Sequence, residues 1–230
     1  MKLRDTKRLH YNKYLYKLVI PNQCASYFRT EFQKDSRLSY TREKLDIAHF
    51  HHEKTKSHIS IPYTNMKYVT SIPVEHYYDA IEIYRHLKND EDYMVRCHRG
   101  ELTLYSNDRK FLIKLSNKLK HPGIEFYEPD PEKVDVLLTE KNIVLVQSKP
   151  KYEYKCTLGK KLGISSLVNW IDANPHLAKI GDTARESVLA ESWVKGYYFY
   201  VRDKKSLLIA QMLIGDNLQS CLLYTSDAAD

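Results

Sequence analysis

The 230-residue chain lacks several features that would assign it to a class at once. It has no long apolar run and no signal-peptide pattern, so we expect a soluble, cytoplasmic protein that does not enter a membrane. Its four cysteines show no paired spacing, which excludes a zinc site built from CxxC pairs and predicts buried free thiols. It also has no internal repeat and no low-complexity segment.

Positive charge is present, and it is distributed unevenly. The formal net charge is +7, and residues 1–60 alone hold 13 Lys and Arg against 6 Asp and Glu, which also gives +7. The remainder of the chain is therefore balanced. A basic segment that also carries tyrosines is typical of proteins that bind a polyanion, so we predict DNA or RNA as the partner. The alternative is a solvated basic face with no partner.

Residues 93–120 carry the clearest local signals in the chain. Residues 93–98 and 101–105 have the composition and alternation of two strands, and Arg99-Gly100 between them predicts a tight turn. Ser106-Asn107-Asp108 can then cap a helix that carries an apolar stripe and ends before Pro122-Gly123. We therefore predict a hairpin followed by a helix.

The N-terminal half, residues 1–128, is predicted to be a basic α+β domain. Residues 1–13 are aperiodic and indicate a loose arm, after which we predict a strand at 14–20, a helix at 22–33 and a helix that starts at Pro73. With the hairpin, the helix and a strand at 124–127, this order indicates a ferredoxin-like split βαβ unit with an insertion near residues 34–73.

The C-terminal half, residues 129–220, begins after Pro129-Asp130-Pro131 and reads differently. Three strands at 134–138, 143–147 and 152–158 are predicted to form an antiparallel meander. Two helices follow, to about Asn174 and from Asp182 to Val194, and a final hairpin joins 196–201 to 207–214. The segment 207–214 is apolar on both faces and could instead be a helix.

The last ten residues, CLLYTSDAAD, do not resemble the rest of the chain. Residues 221–230 look like the translation, in one frame, of a transposon-type sequencing adapter. We therefore expect an artefact here, in a gene fragment of phage or other environmental microbial origin, with a natural chain that is truncated after about Ser220.

Histidines cluster at positions 49–52, in the sequence HFHH. The His-hydrophobic-His pattern resembles the metal motif of replication-initiator and relaxase nucleases, which implies that His49 and His51 hold a divalent ion. A strand would place these two side chains on one face, whereas a helix would separate them, and residues 41–53 are ambiguous between the two. Tyr152-x-x-Lys155 has the letters of that family's tyrosine motif, although it lies in a predicted strand. A histidine-rich polar surface is the alternative.

A second resemblance lies in residues 134–149, VDVLLTEKNIVLVQSK. The predicted hairpin carries Asp135 at its start and Gln147-x-Lys149 at its end, an arrangement that resembles the core of the PD-(D/E)xK nucleases. The resemblance implies that Asp135 and Gln147 bind Mg²⁺ or Mn²⁺ and that Lys149 orients the attacking water. The chain departs from the motif at Gln147, because an amide there reduces the charge that holds the metal.

Asp130 with Glu153-x-Lys155 is a second possible placement of the same motif. Charged ends on an ordinary hairpin are the non-catalytic alternative to both placements.

Taken together, the sequence predicts a nucleic-acid-binding accessory protein rather than an enzyme, with no cofactor. The alternatives are a Mg²⁺- or Mn²⁺-dependent nuclease and a non-catalytic structural or interaction protein. The loop 159–163, GKKLG, precedes a predicted helix whose backbone N–H groups could hold a phosphate, although it lacks the P-loop spacing. The predicted phosphate contacts are Lys2, Arg4, Lys7, Arg8, Lys13, Lys17, Lys160 and Lys161.

Overall fold

The computed structural model of the chain describes residues 1–30, 38–55, 59–62, 69–88, 92–139, 142–160 and 164–226. The chain divides into two compact units. Unit 1 consists of Met1–Thr6 and Lys13–Asp130, and unit 2 consists of Lys7–Asn12 and Pro131–Asp230. Both units combine helices with a mixed five-stranded sheet, which confirms the α+β class.

Unit 1 places its helices and strands in an alternating order. Its helices are α1 (Ser39–Thr55), α2 (Val74–Leu87) and α3 (Arg109–Ser116). Its strands are β1 (Lys2–Asp5), β2 (Tyr16–Pro21), β3 (Ile59–Pro62), β4 (Val69–Ile72), β5 (Tyr93–His98), β6 (Glu101–Ser106) and β7 (Glu125–Glu128).

The main sheet of unit 1 has the order β1-β7-β2-β6-β5, and β3 and β4 form a separate antiparallel pair. All neighbours in the main sheet are antiparallel except β1 and β7. The arrangement is compatible with the βαββαβ order that the sequence indicates, with β1 added at the edge. The prediction of a loose arm is wrong for residues 2–5, because their backbone pairs with β7.

The core of unit 1 lies between this sheet and its helices. Alternation along β2 and β6 turns Leu18, Ile20, Leu102 and Leu104 inward, where they are fully buried together with Phe126 of β7. Burial of each such side chain contributes about 1.5–3 kcal/mol. The helices complete the core with Leu45, Ala48, Ala80, Ile83, Leu87, Leu112 and Leu115.

The hairpin and helix predicted within residues 93–120 are confirmed. Arg99 and Gly100 both have positive φ, at 43° and 81°, as a tight two-residue hairpin turn requires. Asp108 caps α3, because its Oδ1 accepts a hydrogen bond from the Phe111 N–H at 3.1 Å. Each local signal in this stretch is therefore matched by a backbone feature.

Unit 2 is built around a second sheet, of order β10-β11-β9-β12-β8. Its strands are β8 (Ile143–Val146), β9 (Tyr154–Leu158), β10 (Ala178–Ile180), β11 (Tyr198–Val201) and β12 (Leu218–Ser226). Its helices are α4 (Val134–Thr139), α5 (Ser165–Ala173), α6 (Asp182–Leu189) and α7 (Lys204–Ile214).

The predicted meander is wrong. Residues 134–139 form α4 instead of a strand, and β12 separates β8 from β9 by pairing parallel to β8 and antiparallel to β9. Residues 221–226, which we expect to derive from an adapter, lie in the second part of β12. Pairing between segments this distant in sequence leaves no local signal, so the sequence could not reveal it.

The second arm of the predicted final hairpin is also wrong, because residues 204–214 form α7. Asp203 caps this helix by accepting the Ser206 N–H at 2.8 Å. Ser206, Ala210 and Ile214 recur every four residues and are buried, while Leu208 and Met212 are exposed. Because apolar side chains lie on both faces of α7, the sequence does not show the helical period of its buried residues.

Other elements differ from the sequence predictions in extent. The helix predicted at 22–33 is a short 3-10 turn at Ala25–Phe28, and residues 31–33 lie outside the described residues. The helix predicted at 182–194 ends at Leu189. In the described part of the chain, no helix combines the length and apolar character needed to cross a membrane.

Candidate nucleic-acid interface

The predicted phosphate contacts of the N-terminal segment are divided between the two units. Lys2, Arg4, Lys13 and Lys17 belong to unit 1, whereas Lys7 and Arg8 belong to unit 2. They therefore do not follow one continuous arm.

Three of these cations have partners within unit 1. Arg4 forms an ion pair with Glu125 at 2.9 Å, and Lys13 lies 3.7 Å from Asp92. Lys17 lies over the Tyr127 ring, 3.8 Å from its centroid. The Arg4 and Lys17 contacts link β1 and β2 to β7, and all three contacts leave less of the charge available to an external anion.

The loop predicted at 159–163 is described in part. Lys160 is exposed at its start, and Lys161 lies outside the described residues. The Gly159 N–H donates to the Asn217 carbonyl at 2.7 Å, so this end of the loop is joined to the turn before β12. Gly159 also lies so close to Asn217 that a Cβ there would be 2.7 Å from the Asn217 Oδ1.

A basic concavity of unit 1 lies between α2 and α3. It encloses about 380 Å³. The cations at its rim are Arg85 of α2, Lys110 and Lys114 of α3, and Lys118 just beyond the end of α3. All four are exposed, and Asp108 is the one carboxylate among the described residues that line it.

The position of Lys110 on α3 is disfavoured by the helix itself, whereas Lys114 lies in the last turn, where the helix dipole favours a cation. Lys110 and Lys114 are four residues apart on α3, a spacing at which like charges repel, and Lys110 lies in the first turn, at the positive end of the helix dipole. Within the described residues, neither Lys110 nor Lys114 forms an ion pair. Arg109, beside them, differs because it pairs with Glu128 at 2.6 Å.

The floor of the groove is formed by a stacked pair of rings. The His86 ring lies 4.4 Å from the Phe111 ring at an interplanar angle of 23°. The His86 Nε2–H donates to the Phe111 carbonyl at 2.9 Å, which fixes the ring against α3. The lysines therefore surround a rigid apolar surface instead of an open loop.

The nuclease residues are placed differently from the sequence prediction. Asp135 lies in the first turn of α4 and is exposed, while Gln147 and Lys149 follow β8 and are exposed. Because α4 replaces the first strand, the hairpin that carries the resemblance to PD-(D/E)xK enzymes does not form. In the second placement, Asp130 belongs to unit 1, whereas Glu153 and Lys155 belong to unit 2.

His49 and His51 lie on α1, where residues two apart point to different faces. His49 Nδ1 is instead 3.2 Å from the Tyr77 hydroxyl, and His52 Nε2 is 3.2 Å from the Tyr78 hydroxyl, both on α2. Burial raises the pKa of the Tyr77 hydroxyl, so Tyr77 stays neutral in this contact. In the part of the chain that the structure describes, no three His, Cys, Asp or Glu side chains are grouped so that they could hold a metal ion.

Sequence reasoning did not select the groove residues. The sequence does contain three lysines at intervals of four residues, Lys110, Lys114 and Lys118, but the excess of positive charge lies in residues 1–60. That α2 brings Arg85 and His86 to the same place depends on tertiary packing.

Comparison with known proteins adds no assignment. The chain matches no protein-family model and shows no significant sequence similarity to a curated protein.

Proposed function

We propose that unit 1 binds the sugar–phosphate backbone of a nucleic acid in the groove between α2 and α3. The observation that carries the proposal is the set of four exposed cations around one concavity, of which Arg85 also pairs with Glu82 at 2.7 Å and the others are Lys110, Lys114 and Lys118. A phosphate backbone carries regularly spaced negative charge, and cations that neutralise it release condensed counterions.

The energetics of α3 support an anionic ligand. Repulsion between Lys110 and Lys114 costs about 0.2–0.5 kcal/mol in an isolated helix, and the unfavourable dipole at Lys110 adds to it. A bound phosphate removes both penalties, because it neutralises the lysines. An arrangement that is unfavourable in the free protein thus becomes favourable in the complex.

The groove has side chains that can position a phosphate backbone, but it has few that could recognise a base sequence. Lysine is a flexible point charge that suits a phosphate, and the described residues of the rim include no amide side chain for pairing with base edges. We therefore propose an accessory protein with weak sequence preference and strong salt dependence. Lys2, Arg4, Lys7, Arg8, Lys13, Lys17 and Lys160 remain predicted secondary contacts.

The test is a fluorescence-anisotropy titration of the full chain with labelled DNA and RNA at several salt concentrations. Lys110→Glu/Lys114→Glu should weaken binding to every sequence to a similar degree. It should also reduce the slope of log K against log salt by about one per lysine. Lys204→Glu/Lys205→Glu is the control, because it makes the same change in net charge at two exposed lysines of α7.

Equal losses in both double variants would mean that net charge alone drives binding and that the groove is not the site. Unchanged binding by the Lys110→Glu/Lys114→Glu protein would exclude the groove directly.

A further inference from the structure

The sheet of unit 2 has two unlike faces. One face carries Cys156 and Leu158 of β9, Ala178 and Ile180 of β10, and Phe199 and Val201 of β11, all buried. These side chains form a single core with residues of α5, α6 and α7. The helices therefore cover this face, and the alternating residues of the same three strands point the other way.

The opposite face combines tyrosines with lysines. Its outward residues are Lys155 and Thr157 of β9, Lys179 of β10, and Tyr198 and Tyr200 of β11. The strand register brings them together, because Tyr200 is paired with Lys155 on one side and with Lys179 on the other. Tyr198, on the neighbouring step, is 44% exposed.

The side chains on this face contact one another through a cation–π and an aromatic interaction. The Lys155 ammonium lies over the Tyr198 ring, 3.8 Å from its centroid, and 6.0 Å from the centroid of Tyr200. The two rings meet edge to face, with centroids 5.5 Å apart at 78°. Tyr200 thus contacts Tyr198 at a ring edge, and Lys155 lies over a face of the exposed Tyr198 ring.

The charges on these strands have the sign that attracts a polyanion such as a nucleic acid. The outward positions of β9, β10 and β11 carry two lysines and no carboxylate. Glu153 precedes β9 and lies beside Arg202 at the end of the ladder, where the Glu153 N–H donates to the Arg202 carbonyl at 3.2 Å. The charges at that end therefore balance, and the two lysines set the sign of the face.

From this juxtaposition we infer that the outer face of the unit 2 sheet is a stacking platform for single-stranded nucleic acid. An unpaired base replaces the Lys155 ammonium on the Tyr198 ring, and the flexible lysine turns to the adjoining phosphate. A duplex cannot use the platform, because its bases are stacked on one another. The inference rests on the proposed nucleic-acid-binding function and names the form of nucleic acid that is bound.

The test compares three ligands of equal length with the full chain: a single strand of DNA, the same strand with abasic sites, and the corresponding duplex. Stacking is worth about 5- to 150-fold in affinity per base, so the normal strand should bind at least fivefold more tightly than the abasic strand. Tyr198→Leu should remove this difference and leave duplex binding unchanged. Tyr198→Phe should retain it, because the ring stacks and the hydroxyl does not.

The groove of unit 1 gives a separate result in the same experiment. Lys110→Glu/Lys114→Glu should weaken all three ligands and preserve the ratio between the normal and the abasic strand. Equal binding of normal and abasic strands by the wild type, or an unaltered ratio in Tyr198→Leu, would overturn the platform while the groove stands. Loss of the ratio in Tyr198→Leu with no effect at the lysines would support the platform and exclude the groove.

Discussion

The two units reach similar architectures by different routes. In unit 1, β5, β6 and α3 are consecutive in the chain, and each begins and ends where a turn or a cap requires it. In unit 2, β12 comes from the last described residues and lies between β8 and β9, more than 50 residues earlier in the chain. The β5–β6 hairpin is fixed by local chemistry, whereas a pairing of distant segments, which also joins β2 to β6 and β7 in unit 1, depends on the packing that brings the segments together.

Removal of residues 221–230 should have the largest effect on this comparison. It deletes every residue of β12 that pairs with β8 and leaves β8 without its neighbour in the sheet. We expect unit 2 to lose its cooperative unfolding transition, while unit 1 keeps its protection against hydrogen exchange. Both tryptophans, Trp170 and Trp193, belong to unit 2, so their fluorescence reports on it alone, and hydrogen exchange reports on both units.

The length control for this truncation is removal of residues 227–230 only, which lie outside the described residues. An intact unit 2 in the protein that ends at Ser220 would show that the second part of β12, residues 221–226, is dispensable. That outcome would support the proposal that residues 221–230 derive from a sequencing adapter.

Large-to-small substitutions in the two cores should have the next largest effect. Phe126 of β7 and Phe199 of β11 are both fully buried, each in the core of its own unit. Replacement of either by alanine should lower the free energy of unfolding of its unit by about 3–5 kcal/mol. Denaturant titration followed by tryptophan fluorescence should detect Phe199→Ala and miss Phe126→Ala, and a shift of the fluorescence transition by both would contradict independent cores.

The helix caps allow a finer comparison, because each unit has a helix capped in the same way. Asp108 accepts the Phe111 N–H at 3.1 Å, and Asp203 accepts the Ser206 N–H at 2.8 Å. Asp203 also accepts the Ser206 hydroxyl at 2.9 Å. Asp108→Ala and Asp203→Ala should each destabilise the protein by about 0.5–2 kcal/mol, with the larger value at Asp203 because it loses two hydrogen bonds.

Asparagine at each position is the matched control, because its side-chain oxygen still accepts the backbone N–H. If Asp203→Asn lost as much stability as Asp203→Ala, the charge and not the hydrogen bond would be the stabilising feature.

The comparison also shows what the sequence can and cannot specify. Asp108, Gly100 and the alternation of Leu102 and Leu104 were sufficient for the hairpin and helix, because each acts within a few residues. For residues 204–214 the equivalent cap at Asp203 was present, but exposed Leu208 and Met212 obscured the period. The groove was harder still, because Arg85 and Lys114 are 29 positions apart and only the packing of α2 against α3 places them together.

The smallest expected effect is a difference in acid sensitivity between the units. In unit 1, the His76 Nδ1 accepts the Gln23 N–H at 2.9 Å, and the His76 ring meets the His121 ring edge to face at 5.1 Å. Burial and the neighbouring His121 lower the pKa of His76, although Asp79 and Glu75 oppose this. The neutral ring is therefore the folded form, and a proton on Nδ1 would break the bond to Gln23.

The direction of the pH dependence follows from that lowered pKa. The unfolded chain binds a proton at His76 more readily than the folded protein does. The contribution of neutral His76 to the free energy of unfolding is therefore complete above pH 6.5 and is lost as the pH falls below it. In unit 2, hydrogen bonds from Ser206 lower the pKa of Asp203, and that contribution is lost only as the pH falls below about 3.8. As the pH falls between these two values, the hydrogen-exchange protection factors, which correct for the intrinsic pH dependence of exchange, should therefore decrease in unit 1 before they do in unit 2.

His76→Asn tests the assignment, because the amide oxygen can still accept the Gln23 N–H but does not titrate. The variant should remove the early change in unit 1, and an unchanged pH profile would mean that another group causes it.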